Sequence, residues 1–334
     1  MVSGEEAAAA AKTMSGDVTV IVPVWNRCDL LEQLLSGLRA QTQPPAEVLV
    51  VDDGSEDGPA DLAGARVIRM GAHGGFAKAV NRGIRESRTP LVAIVNNDVE
   101  LAPDWMEKLR GALSPDVWFA TGKLLQAAAR DRIDGTFDLV CRGGTACRAG
   151  QGSPDGPAFG ESRRIWSAPM TAALFRAELF EKAGLLDERF ESYLEDVDFG
   201  IRCRLAGCAG RYTPEALAWH QGSATLGRWH PETVRRMARN QVFLIAKYYS
   251  GHMLRCCAWH ILVAQTLWGL VALRHGRAWP WVRGKAEGLG RWREFRQRVP
   301  AEWLPAEDER DIRRERDLYW RLYFLLTGMG QSDT

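Results

Sequence analysis

Residues 18–55, VTVIVPVWNRCDLLEQLLSGLRAQTQPPAEVLVVDDGS, hold two apolar, β-branched runs separated by one helical pattern. Leu30, Leu31, Leu34, Leu35 and Leu38 recur at a period of 3.6 and share one face, and Asp29 and Glu32 are spaced as a capping box. The pattern stops before Pro44 and Pro45. Continuous apolar strands joined by a helix predict parallel pairing with both faces covered. The alternation continues through ARVIRM, a helix from about Phe76 to Glu86 with Phe76, Ala77, Val80 and Ile84 inward, and LVAIVNND. The expectation is a doubly wound α/β fold with a mostly parallel sheet.

Outward from that core the pattern changes twice. The glycine-rich stretch from Cys141 to Arg164 has neither helical nor strand period and predicts a long mobile loop. Helical patterns return at Ala177 to Ala183, after Glu195, and from Arg235 to Tyr249. The expected organisation is a disordered leader over residues 1–16, a nucleotide-binding domain over 17–250, and a helical segment over 251–334. The leader has two early glutamates and a short alanine run, unlike the basic start and long apolar stretch of a secretory signal.

Forty-three basic and 42 acidic residues leave a net charge of +1, which argues against nucleic acid as a partner and makes any electrostatic role local. The seven cysteines are odd in number and lack a Cys-x-x-Cys spacing, so neither a disulfide framework nor a structural zinc site is expected. A reducing, cytoplasmic setting follows as an expectation.

In open α/β sheets ligands bind beyond the carboxyl ends of the strands. Three apolar runs end in Pro23-Val24-Trp25-Asn26, Asp52-Asp53-Gly54-Ser55 and Asn96-Asn97-Asp98. An Asx turn accounts for either acidic segment taken alone. Their convergence on one sheet edge points instead to a crevice in which one carboxylate meets a ribose or base and another holds a divalent cation against phosphates. A further acidic group, Glu195-Asp196-Val197-Asp198, opens a helical pattern; its ordinary reading is a helix start in favour with the macrodipole, with Asp198 and Arg202 paired at i,i+4.

The segments VIVPVWNR, VVDDGS, GGFAKAVNRGI, VNNDVEL, AGLLDERFESYLEDVDFGIRCRLAG and ALAWHQGSA stand in one order, and in that order the chain resembles the family 2 glycosyltransferases of GT-A fold from about Val18 to Tyr249. The resemblance implies an inverting transfer from a nucleotide-diphosphate sugar (UDP-, dTDP- or GDP-linked), with Mg²⁺ or Mn²⁺ as cofactor. It assigns Pro23, Val24, Trp25, Asp52 and Asp53 to base and ribose, Gly75 and Asn81 to the diphosphate region, and Asn97 to the cofactor-binding stretch beside Asp98. Asp98 becomes the metal carboxylate, the one acid in Asn96-Asn97-Asp98 where the family has Asp-x-Asp. Asp196 matches the catalytic base, Glu195 its acidic neighbour, and His220 a histidine that completes the metal site in several relatives. Met170 stands where many relatives carry glycine in a Gly-Ala-Ala stretch, so donor identity does not transfer. Two rivals use the same fold: a sugar nucleotidyltransferase, disfavoured because the first strand runs into Pro-Val-Trp-Asn-Arg and not a glycine-rich basic loop, and a non-catalytic nucleotide-sugar-binding protein, disfavoured because Asp98, Glu195 and Asp196 are present.

Relatives of this kind often build cell-surface polysaccharides, which implies a glycan or lipid-linked glycan acceptor. Cys256 to Leu273 carries no Asp, Glu, Lys or Arg, and at about 18 residues it is a marginal span interrupted by His260 and Gln265. Arg274 to Arg298 carries eight basic residues against Glu287 and Glu294, a local charge of +6, interleaved with Trp279, Trp281 and Trp292. That composition predicts an interfacial segment on an anionic membrane surface, peripheral on the inner face of the cell membrane. A helical hairpin packed on the catalytic domain, or a homodimer contact, is the alternative.

Overall fold

Strand β1 (Val18–Val24) is buried along its whole length, and β4 (Leu91–Val95) likewise, because helices cover both faces of the sheet they centre. The computed structural model describes residues 16–58, 62, 64–222, 227, 229–296 and 306–328. Residues 1–15 of the expected leader, the Ser223–Ala224 end of ALAWHQGSA and Arg298 lie outside them. The other strands are β2 (Glu47–Asp52), β3 (Arg66–Arg69), β5 (Val99–Leu101), β6 (Phe119–Gln126), β7 (Ile133–Gly135), β8 (Asp138–Val140), β9 (Ala146–Arg148), β10 (Arg163–Ile165), β11 (Ala172–Arg176) and β12 (Gly210–His220). The helices are α1 (Leu31–Arg39), α2 (Phe76–Glu86), α3 (Trp105–Gly111), α4 (Ala177–Lys182), α5 (Glu195–Leu205), α6 (Pro231–Tyr248), α7 (Gly251–Cys256), α8 (Ala258–Arg274), α9 (Ala278–Gly290), α10 (Trp292–Phe295), α11 (Ala306–Ile312) and α12 (Leu318–Leu326).

The main sheet runs β10-β12-β6-β11-β4-β1-β2-β3, with β5 beside β12 and β7 beside β6. Strands β3, β2, β1 and β4 are parallel, β11 enters antiparallel between β4 and β6, and β12 runs parallel to β6. On one face α1 buries Leu31, Leu34, Leu35 and Leu38, joined by Trp105 of α3; on the other α2 buries Ala77 and Val80. This is the doubly wound α/β arrangement expected from the alternating pattern.

Two local expectations are corrected. Asp29 and Glu32 form no capping box: a 3₁₀ turn over Cys28–Leu30 precedes α1, and Asp29 pairs back to Arg27 Nε at 2.9 Å. The stretch after Cys141 is not a structureless loop, since β8 and β9 form a hairpin whose turn is tied down from far along the chain. Glu309 accepts from the Arg142 N–H at 2.8 Å, and the Tyr249 hydroxyl donates to the Cys141 and Arg142 carbonyls. The basic segment after Arg274 packs one side on the catalytic domain, where α9 crosses α6 so closely that a Cβ at Gly284 would lie 2.2 Å from the Arg235 carbonyl oxygen, and one at Gly288 2.7 Å from Val242 Cβ. Several of its charges therefore point inward. Arg296 donates to the Ala246 carbonyl at 3.2 Å, the Lys285 ammonium to Gln241 Oε1 at 2.8 Å, and Glu287 pairs with Arg239 at 3.0 Å.

The expected boundary at residue 250 falls between α6 and α7. Val263, Ala264 and Leu267 of α8, with Trp320, Tyr323 and Phe324 of α12, share a continuous apolar core with Phe137, Leu139 and Cys141 of the hairpin region. Among the described residues no helix is long and apolar enough to cross a membrane. All seven cysteines are free thiols.

Candidate active site

A cleft of about 620 Å³ opens beyond the ends of β1, β2 and β4, within the size range of small-ligand sites. Pro23, Val24, Trp25, Asp53, Asn97, Asp98, Glu195, Asp196 and His220 all line it. Asp52, Gly75 and Asn81 do not. Asp52 Oδ1 accepts from the Ser55 N–H at 2.9 Å and closes the turn after β2. Asn81 is 1% exposed; its amide donates to the Leu186 carbonyl and to Glu188 and accepts from the Leu186 N–H, each at 2.9 Å, which clasps α2 to the segment before α5. Gly75 has φ +95°, and a Cβ there would stand 2.9 Å from the Glu191 carbonyl oxygen, so its role is close approach of two chain segments.

Asp53 organises the nucleotide-facing rim. Its carboxylate accepts from the Gly74 and Gly75 N–H groups at 2.7 and 2.8 Å, and the His73 ring stands at 2.8 Å. His73 in turn stacks on Trp25 with ring centroids 4.1 Å apart. Sequence reasoning missed His73, although it lies four residues past the end of β3, on the segment to which the strand-end rule directs attention.

At the next strand end, Asp98 lies against His220, with 3.3 Å between its Oδ2 and Nε2. The other ring nitrogen, Nδ1, meets Asp134 Oδ2 at 2.7 Å. Burial alone would lower the His220 pKa, but the two carboxylates outweigh it and push it up to about 9. A buried imidazole flanked by carboxylates, with one nitrogen held by a partner, is the backing arrangement of a metal-ligating histidine. Among the described residues no three His, Cys, Asp or Glu side chains form a complete metal cage. Asp98 and His220 could supply two donors to a divalent ion, a set of the kind that leaves positions for phosphate oxygens and water.

Opposite, α5 opens with Glu195 and Asp196 at the cleft. Glu195 is buried and its Oε2 has no hydrogen-bond partner; burial first, then the Asp196 charge, hold its pKa well above the usual carboxylate range. Asp138 of β8 is similarly pushed up to about 8 by burial and by Asp196. One guanidinium, Arg148 of β9, stands among these acids, 3.9 Å from Asp134, 3.7 Å from Asp138 and 3.8 Å from Asp196. Asp134, Asp138 and Arg148 carry no motif; β7, beside β6, brings the first here and the β8–β9 hairpin the other two. Asp198, the remaining acid of the cluster, faces away: it pairs with Arg202 at 3.0 Å, as its i,i+4 spacing predicts, and with Lys247 of α6 at 2.7 Å.

The turn that delivers Glu195 is under backbone strain. Glu191, Tyr193 and Leu194 have φ of 63°, 73° and 66° without being glycine. Asn240 of α6 holds it, with its amide nitrogen 2.9, 3.0 and 2.7 Å from the carbonyls of Phe190, Ser192 and Tyr193. Arg239, 1% exposed, adds a bond to the Phe190 carbonyl at 2.9 Å and a pair with Glu191 at 2.8 Å.

A doubly wound sheet with a carboxylate–histidine pair at one strand end and an acidic pair across the cleft agrees with the GT-A fold expected from the motifs. Residues 19–120 match the family model described as glycosyl transferase family 2. A search among characterised proteins finds N-acetylglucosaminyl-diphospho-decaprenol L-rhamnosyltransferase of Mycobacterium tuberculosis, 26% identical over 295 residues that cover 78% of this chain and 92% of that one. Among solved structures, GalNAc-T7 with UDP, GalNAc and Mn²⁺ has a TM-score of 0.57 at 14% identity, covering 83% of this chain and 56% of that one. The mannosyltransferase PcManGT of Pyrobaculum calidifontis, in complex with GDP-Man and Mn²⁺, has a TM-score of 0.50 at 18% identity, covering 93% and 84%. Both likenesses bear on the fold. Residues 19–120 thus carry the likeness to the family 2 glycosyltransferases, and the relatives that match more of the chain are glycosyltransferases.

Proposed function

We propose that this glycosyltransferase moves a sugar from a UDP-, dTDP- or GDP-linked donor to a hydroxyl of a glycan or lipid-linked glycan in cell-envelope polysaccharide synthesis, with inversion at the anomeric carbon. The observation that carries the reading is the single cleft shared by Trp25, Asp53, Asp98, His220, Glu195 and Asp196. The Mycobacterium tuberculosis relative, whose name specifies a diphospho-decaprenol-linked acceptor, supports the acceptor class. Location on the inner face of the cell membrane belongs to the same reading.

In this mechanism Trp25 and His73 present a stacked aromatic rim to the base, and Pro23 and Val24 shape the floor beside it. Asp98 and His220 would hold Mg²⁺ or Mn²⁺, which would supply charge neutralisation for the diphosphate leaving group. Asn97, beside Asp98, faces the diphosphate. Asp196 takes the proton from the acceptor hydroxyl as it attacks, and Arg148 orients that carboxylate from the hairpin side. Glu195, whose buried carboxyl is shifted toward its protonated form, faces the cleft beside Asp196. With one base opposite one leaving group, a single displacement inverts the centre.

A screen of nucleotide sugars for metal-dependent hydrolysis and thermal stabilisation tests the reading. Asp98→Ala is expected to abolish transfer together with the metal dependence of nucleotide binding. Full activity of chelator-treated wild type would overturn the metal assignment.

A further inference from the structure

Ten of the eleven large hydrophobic side chains exposed on the described residues belong to three helices, α8, α9 and α12; the other is Leu205. They are not scattered. At about 100° per residue, Trp259, Leu262, Leu270 and Leu273 of α8 fall within one stripe roughly 80° wide. Trp279, Val282 and Leu289 form an equal stripe on α9, and Leu318 and Leu325 share one on α12. The helices are neighbours: Trp259 Nε1 donates to the Leu326 carbonyl at 2.9 Å, the Tyr319 hydroxyl to the Ala264 carbonyl at 3.1 Å, and Lys285 to Gln265. Their opposite faces are already occupied, by the apolar core through Val263 and Tyr323 and by α6 through Gly284 and Gly288.

Charge narrows the occupant of this outer face. The three helices contain one acidic residue, Glu287, and it is turned inward onto Arg235 and Arg239. Arg274, Arg283 and Arg321 are exposed beside the stripes. A second copy of this chain paired face to face would bring those arginines together with no carboxylate on the same helices to meet them. A surface that is apolar within and anionic at its boundary satisfies both parts, with tryptophan at the level where the two meet. No described helix is long and apolar enough to cross a membrane.

We infer that the outer face of α8, α9 and α12 is a docking surface for anionic phospholipid bilayer. The inference deepens the membrane location in the reading above and rests on it. It also relates the membrane to the cleft, because α8 and α12 hold the hairpin that carries Asp138 and Arg148. Gln265 donates to the Gly143 carbonyl at 2.9 Å, and the Tyr319 hydroxyl is 3.1 Å from that of Thr145.

The test is sedimentation of the full chain with vesicles of phosphatidylcholine containing about one-third phosphatidylglycerol, against phosphatidylcholine alone, at rising salt. Wild type is expected to pellet with the anionic vesicles and to be released by salt. Arg274→Gln with Arg283→Gln should weaken binding roughly 30-fold, at about fivefold per arginine. Leu262→Gln with Leu270→Gln should leave the protein in the supernatant. Thermal melting, and stabilisation by metal with nucleotide, are expected to match wild type, so folding and the donor site are read apart from lipid binding. Wild type that stays in the supernatant with both vesicles overturns the inference and the membrane location together. Anionic binding that the leucine variant retains overturns this face alone. A dimer in sedimentation velocity that the leucine variant splits, and that vesicles do not displace, assigns the face to a second copy and also overturns it. Lost nucleotide binding with intact vesicle binding would instead count against the transferase mechanism.

Discussion

On the side of Pro23, Asp53 and Asp98 the cleft is walled by the ends of β1, β2 and β4, whereas on the side of Glu195 and Asp196 it is walled by a left-handed turn and a hairpin. The first wall needs little beyond the sheet. Once β1 pairs with β2 from Thr19–Glu47 to Val24–Asp52, and with β4 from Val18–Leu91 to Ile21–Ile94, the residues after each strand arrive together. The second wall is held by side chains distant in sequence: Asn240 and Arg239 of α6 on the turn, and Glu309, Tyr249 and Tyr319 on the hairpin. The strand-end wall is rigid through backbone pairing, and the acidic wall is rigid only while the C-terminal helices are in place. Perturbing the first should change what binds, and perturbing the second should change turnover.

The largest effect expected is at the second wall. Asp196→Asn should retain nucleotide and metal binding while losing on the order of 10² to 10⁴ in kcat, the usual worth of a positioned base. Titration calorimetry beside steady-state kinetics checks it, and collapse of donor binding would move Asp196 to the other wall.

His220→Ala tests the first wall. Removing the imidazole should weaken metal affinity by roughly 10- to 100-fold, and shift preference away from Mn²⁺ and Co²⁺ toward Mg²⁺, since imidazole suits the transition metals better. An unaltered metal profile would make His220 a structural link between Asp98 and Asp134.

Asn240→Ala sharpens the comparison without touching either set of cleft residues. Loss of the amide frees three carbonyls of a strained turn, so kcat should fall about tenfold with donor KM unchanged. A rise in KM with constant kcat would show that the turn serves the donor.

The smallest effect concerns the C-terminal packing. Burial pushes the Lys285 pKa down to about 7 from 10.5, and its partners Gln241 and Gln265 are uncharged. Between those pH values the unfolded chain binds a proton that the folded chain lacks, so stability should rise with pH across that window. Lys285→Met should remove the rise, as measured by urea denaturation at pH 7 and pH 10. A slope that survives the substitution would place its origin elsewhere.

Much of this molecule was decided locally. The apolar runs at Val18, Val48 and Leu91 each bury without a partner beyond the sheet and its covering helices, so their periods alone specify the parallel core and bring Trp25, Asp53 and Asp98 to one edge. The pairing of Asp198 with Arg202 also follows from helix spacing. Other features were decided only when distant segments met. Asn81 stands in a glycine-rich helix start that suggests phosphate, yet its amide is taken by Leu186, 105 residues away. The stretch after Cys141 has no period because a three-residue strand pair is too short to show one, and its stability comes from Tyr249, Glu309 and Tyr319. Likewise the basic residues after Arg274 divide between surface and interior according to which side of α9 meets α6, and composition cannot state a direction. Local periodicity determines which faces must be buried, while tertiary contact determines what buries them and which charged groups are left to do chemistry.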